Sequence, residues 1–310
     1  MDASDLWYAQ DDGMMDNNAV LVIFGQTVTL ALLSALLTEL KLTRFEFYVT
    51  ANRFNQSFGS AVINICFSGN KHDLHNIENT ELLSLCTKYR VEISRCSNVA
   101  LSRPGLALFD MDSTIIEMEC IDEIAKLAGV GDDVAQVTER AMRGEIAFGD
   151  SLVHRVACLE GVEVGQLLSI QQRLPFSPGF LSLVTALKSH GWKVAIASGG
   201  FTYFADYIKD MFELDYAASN TLQTSNGKLT GRVSGEIVDA SKKAQLLISL
   251  AERYHIPAGQ TLAIGDGAND LEMMSCAAFG VAYHAKPAVQ EKANGSIHFA
   301  GLEAVLYMLT

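Results

Sequence analysis

The chain has 310 residues, 49% of them hydrophobic and 19% charged, which is the profile of a globular protein long enough for two domains. A formal net charge of −13 gives long-range attraction to phosphates the wrong sign and argues against nucleic acid or an anionic membrane as partner. Six scattered cysteines without a C-x-x-C pair argue against a zinc or disulfide framework, and no apolar run is long enough to span a bilayer, so a cytoplasmic protein is expected.

Residues 1–16 are acidic, with no Lys or Arg and no apolar core, and read as a partly disordered leader instead of a targeting peptide. Over 17–100, NAVLVIFGQ predicts a strand, TVTLALLSALLTELK a helix, and TRFEFYVTANRF and SAVINICFSG two strands. LHNIENTELLSLCTKYR then predicts a helix and VEISRCS a last strand. The order β-α-β-β-α-β is the ferredoxin-like arrangement. Within it His72 and His75 stand three apart near a helix start, where solvated imidazoles are the usual outcome.

The stretch SRPG at 102–105 marks a boundary, and 104–310 predicts a different domain. LALFD, KVAIAS, TLAIGD, FGVAY and SIHF are strands alternating with helical segments, which implies a doubly wound, Rossmann-like α/β fold with a parallel sheet. Residues from about 117 to 176 break the alternation with several amphipathic segments and no strand, the pattern of a helical cap over the sheet edge. Further on, Asn226-Gly227 between alternating residues is a hairpin signal.

Three strands of this domain end in residues capable of chemistry: Asp110 and Asp112, then Ser198 with Gly199, then Asp266 with Asn269 and Asp270. In a doubly wound sheet those ends meet in one crevice. Carboxylates, a hydroxyl and glycines without a Cys/His set suit hard-oxygen ligation of Mg²⁺. The cation has a reason: a carboxylate approaching a phosphoryl dianion at about 4 Å meets repulsion on the order of 8 kcal/mol at an effective dielectric near 20. On this reading Asp110 is the nucleophile, and Asp112 protonates the leaving alkoxide and later accepts a proton from water. The Ser198 hydroxyl, the Gly199 backbone and Lys243 are placed to meet phosphoryl oxygens, with Lys242 a neighbour that competes for the last role. Gly265-x-Gly267 imitates part of a dinucleotide fingerprint, but Asp266 would repel a pyrophosphate and Asp270 stands where the third glycine belongs.

The ordered set Asp110-Met-Asp112-Ser-Thr114, Ser198, Lys243 and Asp266-Gly-Ala-Asn-Asp270 resembles the haloacid dehalogenase-like hydrolases. DMDST with a Glu a few residues on, SGGF and GDGAND are most similar to the phosphoserine phosphatases among them, over roughly 104–310. The resemblance implies hydrolysis of O-phospho-L-serine to L-serine and phosphate, the last step of serine biosynthesis, through an aspartyl-phosphate. It implies Mg²⁺ held by Asp110, the Asp112 main-chain carbonyl and Asp266, with Asn269 and Asp270 supporting. It also implies Glu119 on the substrate ammonium, Arg155 on its carboxylate, and Met142 and Phe148 closing the cap. Taken without the resemblance, Glu119 and Arg155 read as surface charges or a structural ion pair, and Met142 and Phe148 as cap core.

The 17–100 segment looks like an ACT-type module, for which fold analogy suggests amino-acid sensing or a homodimer through the N-terminal sheets. Two alternatives stand beside the phosphoserine reading. One is a phosphatase for a neighbouring amino-acid or small phosphomonoester; the other is an amino-acid-binding regulator with a vestigial core, against which the intact carboxylate set counts.

Overall fold

The computed structural model describes residues 19–40, 47–52, 54, 59, 61–67, 77–142 and 145–310; the acidic stretch 1–16 and the His72/His75 pair lie outside them. The first part runs β1 (Ala19–Gly25), α1 (Leu30–Glu39), β2 (Phe47–Ala51), β3 (Ala61–Phe67), α2 (Asn79–Tyr89) and β4 (Glu92–Arg95). Its four strands pair antiparallel in the order β2-β3-β1-β4. The pattern predicts α1 from residue 27, but the helix begins later, because Thr29 is extended and its hydroxyl accepts the Leu32 N–H at 3.2 Å as an N-cap.

Alternation along β1 divides two cores. Leu21 and Ile23 pack with Leu33, Leu36, Leu82 and Leu85 of the two helices, whereas Val22 and Phe24 join the core of the second part. The chain's last turn supplies the cover on that side: Tyr307 meets Phe24 edge-on at 5.0 Å, and Ser97 N–H donates to Met308 O at 2.8 Å. Both faces of the first sheet are therefore covered within one chain.

The second part opens with β5 (Leu106–Phe109), then α3 (Cys120–Ala128), α4 (Gly131–Met142), α5 (Phe148–Ala157), α6 (Val164–Gln171) and α7 (Phe180–Ser189). It continues through β6 (Lys193–Phe201), α8 (Thr202–Met211), β7 (Tyr216–Ser225), β8 (Lys228–Ser234), α9 (Ala240–Arg253) and β9 (Thr261–Gly265). After α10 (Leu271–Cys276) and β10 (Phe279–Tyr283) come α11 (Pro287–Gln290), β11 (Gly295–Ile297) and α12 (Val305–Met308). The sheet order is β11-β10-β9-β5-β6-β7-β8. β5 is the turning point: the chain winds outward from it through β6 and β7 on one side and through β9 and β10 on the other. Such a reversal opens a crevice at the carboxyl ends of the central strands.

The sheet is parallel except at one edge, where β8 pairs antiparallel with β7. The strands expected to be parallel are so, and the antiparallel edge comes from the hairpin that Asn226-Gly227 signals. Both residues have positive φ, 50° and 77°, as a two-residue hairpin turn demands. The hairpin also props the helical insertion α3–α6, since Gly161 N–H donates to Leu229 O at 2.9 Å and Leu229 N–H returns to Val162 O at 2.8 Å. Among the described residues no helix is long and apolar enough to cross a membrane.

Candidate active site

The centre of the site is a buried lysine between two carboxylates. Asp110 follows the fully buried β5, and its N–H donates to Ile264 O at 2.9 Å, which fixes the end of β5 against β9. Its carboxylate accepts from Met111 N–H at 2.7 Å and from Lys243 Nζ at 2.8 Å. Lys243 gives a second bond, 2.7 Å, to Asp270, whose other oxygen accepts Gly267 N–H at 3.0 Å. The N-cap Asp239 holds Lys242 N–H at 2.8 Å, and this start of α9 turns Lys243 inward while Lys242 pairs with Glu236 at the surface. Burial alone would lower the Lys243 pKa, but Asp110 and Asp270 outweigh it and hold the ammonium above its usual value.

Two further carboxylates feel the same field. Burial, then Asp110 and Asp270, push Asp266 up to about 7, while the Thr114 hydroxyl, donating at 3.1 Å, works the other way. Burial, then Glu119 and Asp110, hold Asp112 well above the carboxylate range, opposed by the Cys120 N–H at 3.3 Å. Asp110, paired to a lysine, and Asp112, with its carboxyl raised, therefore sit in different electrostatic surroundings.

Asp110, Asp266 and Asp270 each bring a carboxylate oxygen within 4.8 Å of the others. The residues fit a hard divalent cation: every donor is oxygen, and one lysine leaves three carboxylates with excess negative charge.

A cavity of about 840 Å³ stands over this cluster. Its floor is made by Asp110, Asp112, Ser198, Gly199, Asp266 and Asn269, and its roof includes Glu119, Phe148 and Arg155 from the helical insertion. Phe148 presses close to the floor, since a Cβ on Gly199 would stand 2.9 Å from its ring. Ser198 Oγ accepts Gly200 N–H at 2.9 Å, which leaves its own proton to donate.

In the roof, Glu119 opens onto the cavity yet is densely surrounded by protein; this enclosure, with Asp110 adding to it, raises its carboxyl, while a Ser113 bond at 2.9 Å and Arg155 lower it. The Arg155 Nε is buried without a hydrogen-bond partner. Burial lowers the pKa of this guanidinium, against the pull of Glu119 and Asp122. Met142 ends α4, and its side chain lies outside the described residues.

Sequence reasoning left three residues without a role that the structure places in direct support. Ser113, at φ 55°, holds Glu119; Thr114 holds Asp266; the Cys120 N–H, at the start of α3, holds Asp112. The first two lie inside DMDST, where the motif itself is the signal, whereas a backbone N–H leaves none.

Residues 105–278 match the haloacid dehalogenase-like hydrolase family. A phosphoserine phosphatase of Vibrio cholerae is 55% identical over 210 residues, covering 68% of this chain and 64% of that protein, so the match spans just under two thirds of that relative's length. The unliganded crystal structure of a probable phosphoserine phosphatase from Vibrio cholerae superposes with a TM-score of 0.77 at 41% identity, over 96% of this chain and 88% of that one. A substrate-bound phosphoserine phosphatase complex superposes with a TM-score of 0.64 at 37% identity, over 67% of this chain and 99% of that one. A carboxylate cluster at the strand ends, a lysine locked to it and this similarity over the whole catalytic sheet place the chain in the haloacid dehalogenase-like hydrolases, within their phosphoserine phosphatase family.

Proposed function

We propose that residues 104–310 hydrolyse O-phospho-L-serine to L-serine and phosphate through an aspartyl-phosphate on Asp110, the reaction that ends serine biosynthesis, in the cytoplasm. The observation that carries the reading is the single cavity with two chemically different ends: a carboxylate–lysine cluster on its floor, and Glu119 with the unpartnered Arg155 Nε in its roof. One end suits a phosphoryl group and the other the ammonium and carboxylate of an amino acid.

Asp110 attacks phosphorus, and the bond from phosphorus to the serine oxygen breaks. Asp112, held protonated, gives its proton to that oxygen, then takes one from the water that cleaves the aspartyl-phosphate and restores Asp110. Lys243, Ser198 Oγ and the Gly199 N–H meet the phosphoryl oxygens, and Phe148 closes the cavity against water. Asp110, the Asp112 carbonyl and Asp266 would hold Mg²⁺, which would supply charge neutralisation between nucleophile and phosphate. Asn269 and Asp270 support this set, Asp270 by holding Lys243 and the Gly267 N–H.

The β2-β3-β1-β4 order supports a ferredoxin-like, ACT-type reading of 17–100, with 117–176 as the cap and 1–16 as a leader. Since helices and the C-terminal turn cover both faces of that sheet, a homodimer through it would use its β2 edge.

Phosphate release from L-phosphoserine and a panel of phosphate esters, with Mg²⁺ or EDTA, tests the reading in wild type and Asp110→Asn. Mg²⁺-dependent turnover that prefers phosphoserine and vanishes in the variant is the expected result. Turnover of other esters alone would discard the Glu119–Arg155 clamp and keep the mechanism.

A further inference from the structure

The hydroxyl of Ser198 sits on a stretch of β6 that leaves its ladder. β6 pairs with β7 at Ala197↔Ala218 and again at Phe201↔Asn220, so four steps on one strand match two on the other and residues 198–200 bulge toward the cavity. The two glycines of this bulge have no side chain of their own to anchor them. A Cβ on Gly199 would stand 2.9 Å from Phe148, and one on Gly200 2.6 Å from Asp112 Oδ2, so the backbone must run bare between roof and floor. Something else has to decide which way its peptide planes face.

Asn220 does so. It is 1% exposed, on β7, where the ladder resumes. Its Nδ2 donates to Gly199 O at 2.8 Å, and its Oδ1 accepts Val238 N–H at 2.9 Å. A carbonyl on one side and an N–H on the other leave only this orientation of the amide. The carbonyl it grips belongs to the same peptide unit as the Gly200 N–H, which donates to Ser198 Oγ at 2.9 Å. A continuous chain therefore runs from Val238 through the Asn220 amide and the 199–200 peptide to the serine hydroxyl. Because Oγ is occupied as an acceptor, its proton is aimed away from the peptide, toward the cavity that Ser198 lines.

We infer that Asn220 is a positioning residue for phosphoryl recognition, which fixes the 199–200 peptide so that Ser198 presents its hydroxyl proton to a phosphoryl oxygen. The inference rests on the phosphatase reading of the cavity and adds a residue that touches no substrate. It acts on the phosphoryl end alone and is indifferent to the amino-acid head group.

The test is a double-mutant cycle of Asn220→Ala with Ser198→Ala in the full chain with Mg²⁺. It uses turnover of phosphoserine and of p-nitrophenyl phosphate, and the affinity of orthovanadate as a phosphoryl mimic. Asn220→Ala should lower kcat on both esters by about 10- to 100-fold and weaken orthovanadate in parallel. On the Ser198→Ala background the same change should cost less than about twofold, because its target is gone. Should the alanine fail to fold, Asn220→Ser leaves room for a water on the two backbone groups and repeats the cycle. Losses that multiply in full, or a folded variant with wild-type kcat and orthovanadate affinity, would overturn the inference. Wild type inactive on both esters sinks the phosphatase reading instead, and the orthovanadate arm then still decides the role of Asn220.

Discussion

Lys243 Nζ stands 2.8 Å from Asp110 and 2.7 Å from Asp270, and the three side chains are at most 8% exposed. Such a triad holds together only while its cation is present, because removing one partner of a buried pair costs about 3–5 kcal/mol through the charge left behind. Lys243→Met should abolish turnover and lower the denaturation midpoint. The loss of stability should be larger in EDTA than in saturating Mg²⁺, where a second cation offsets part of the deficit. Urea denaturation under both conditions checks this; equal losses would mean that metal and lysine do not share a carboxylate.

Metal affinity should depend on pH with a sign set by Asp266. In the metal-free protein its carboxyl is pushed up to about 7 by burial and its acidic neighbours, against 3.8 for the ordinary value. The native state then holds a proton between these two pH values that the unfolded chain releases, so the metal-free protein loses stability as pH climbs toward 7 and changes little from this source above it. Binding of Mg²⁺ needs the carboxylate and must expel that proton. Affinity should rise from about pH 5 to 7 and level off beyond, with proton release only on the acid side. Titration calorimetry in two buffers of different ionisation enthalpy reads both quantities, and an affinity flat across that range would remove Asp266 from the ligand set.

What the sequence made legible, and what it hid, divides along sequence distance. Asp110 and Asp112 announce themselves because an apolar run delivers them at a strand end, and Asn226-Gly227 announces its hairpin because few residues accept positive φ. Position favours Lys243 over Lys242 in the sequence, and the physical reason is Asp239, which caps α9 and sets its rotation. The Asn220 amide gives no local sign: its partners are 21 and 18 residues away, and an Asn in a strand reads merely as a poor strand former. The covering of the first sheet by Tyr307 and Met308 was equally invisible, since nothing in a short C-terminal apolar stretch tells which face it will seal.

Substrate preference should reside in the roof. Arg155→Gln removes the guanidinium whose Nε has no partner, and Glu119→Gln removes the anion beside it. Hydrogen bonds to charged groups contribute about 1.5–3 kcal/mol, so each change should raise KM for phosphoserine about 10- to 100-fold. Turnover of p-nitrophenyl phosphate, which has no amino-acid head, should stay within about twofold of wild type, since the phosphoryl end is untouched. Ser113→Ala loosens Glu119 without removing it and should act in the same direction by a few-fold. Losses equal on both substrates would make these residues structural.

The last prediction concerns the seam between the two sheets. Glu92, on β4 and 3% exposed, receives the backbone N–H groups of His298, Phe299 and Ala300 together with His298 Nδ1, which lies 2.9 Å away. One carboxylate thus closes the end of β11, while Asn52 on the same sheet donates to Tyr307 O at 3.1 Å. Glu92→Gln turns an amide NH₂ toward a nest of donors and should cost about 1–3 kcal/mol through groups left unpaired. The catalytic floor shares no residue with this nest, so kcat at low temperature should hold. A chain beginning at Pro104 loses Glu92, Asn52 and the Phe24 face together and bares Tyr307 and Met308. It should melt well below the full chain and aggregate when warmed. Thermal unfolding of the three proteins side by side checks this, and a truncated chain as stable as the whole would show that the first sheet merely rests against the second.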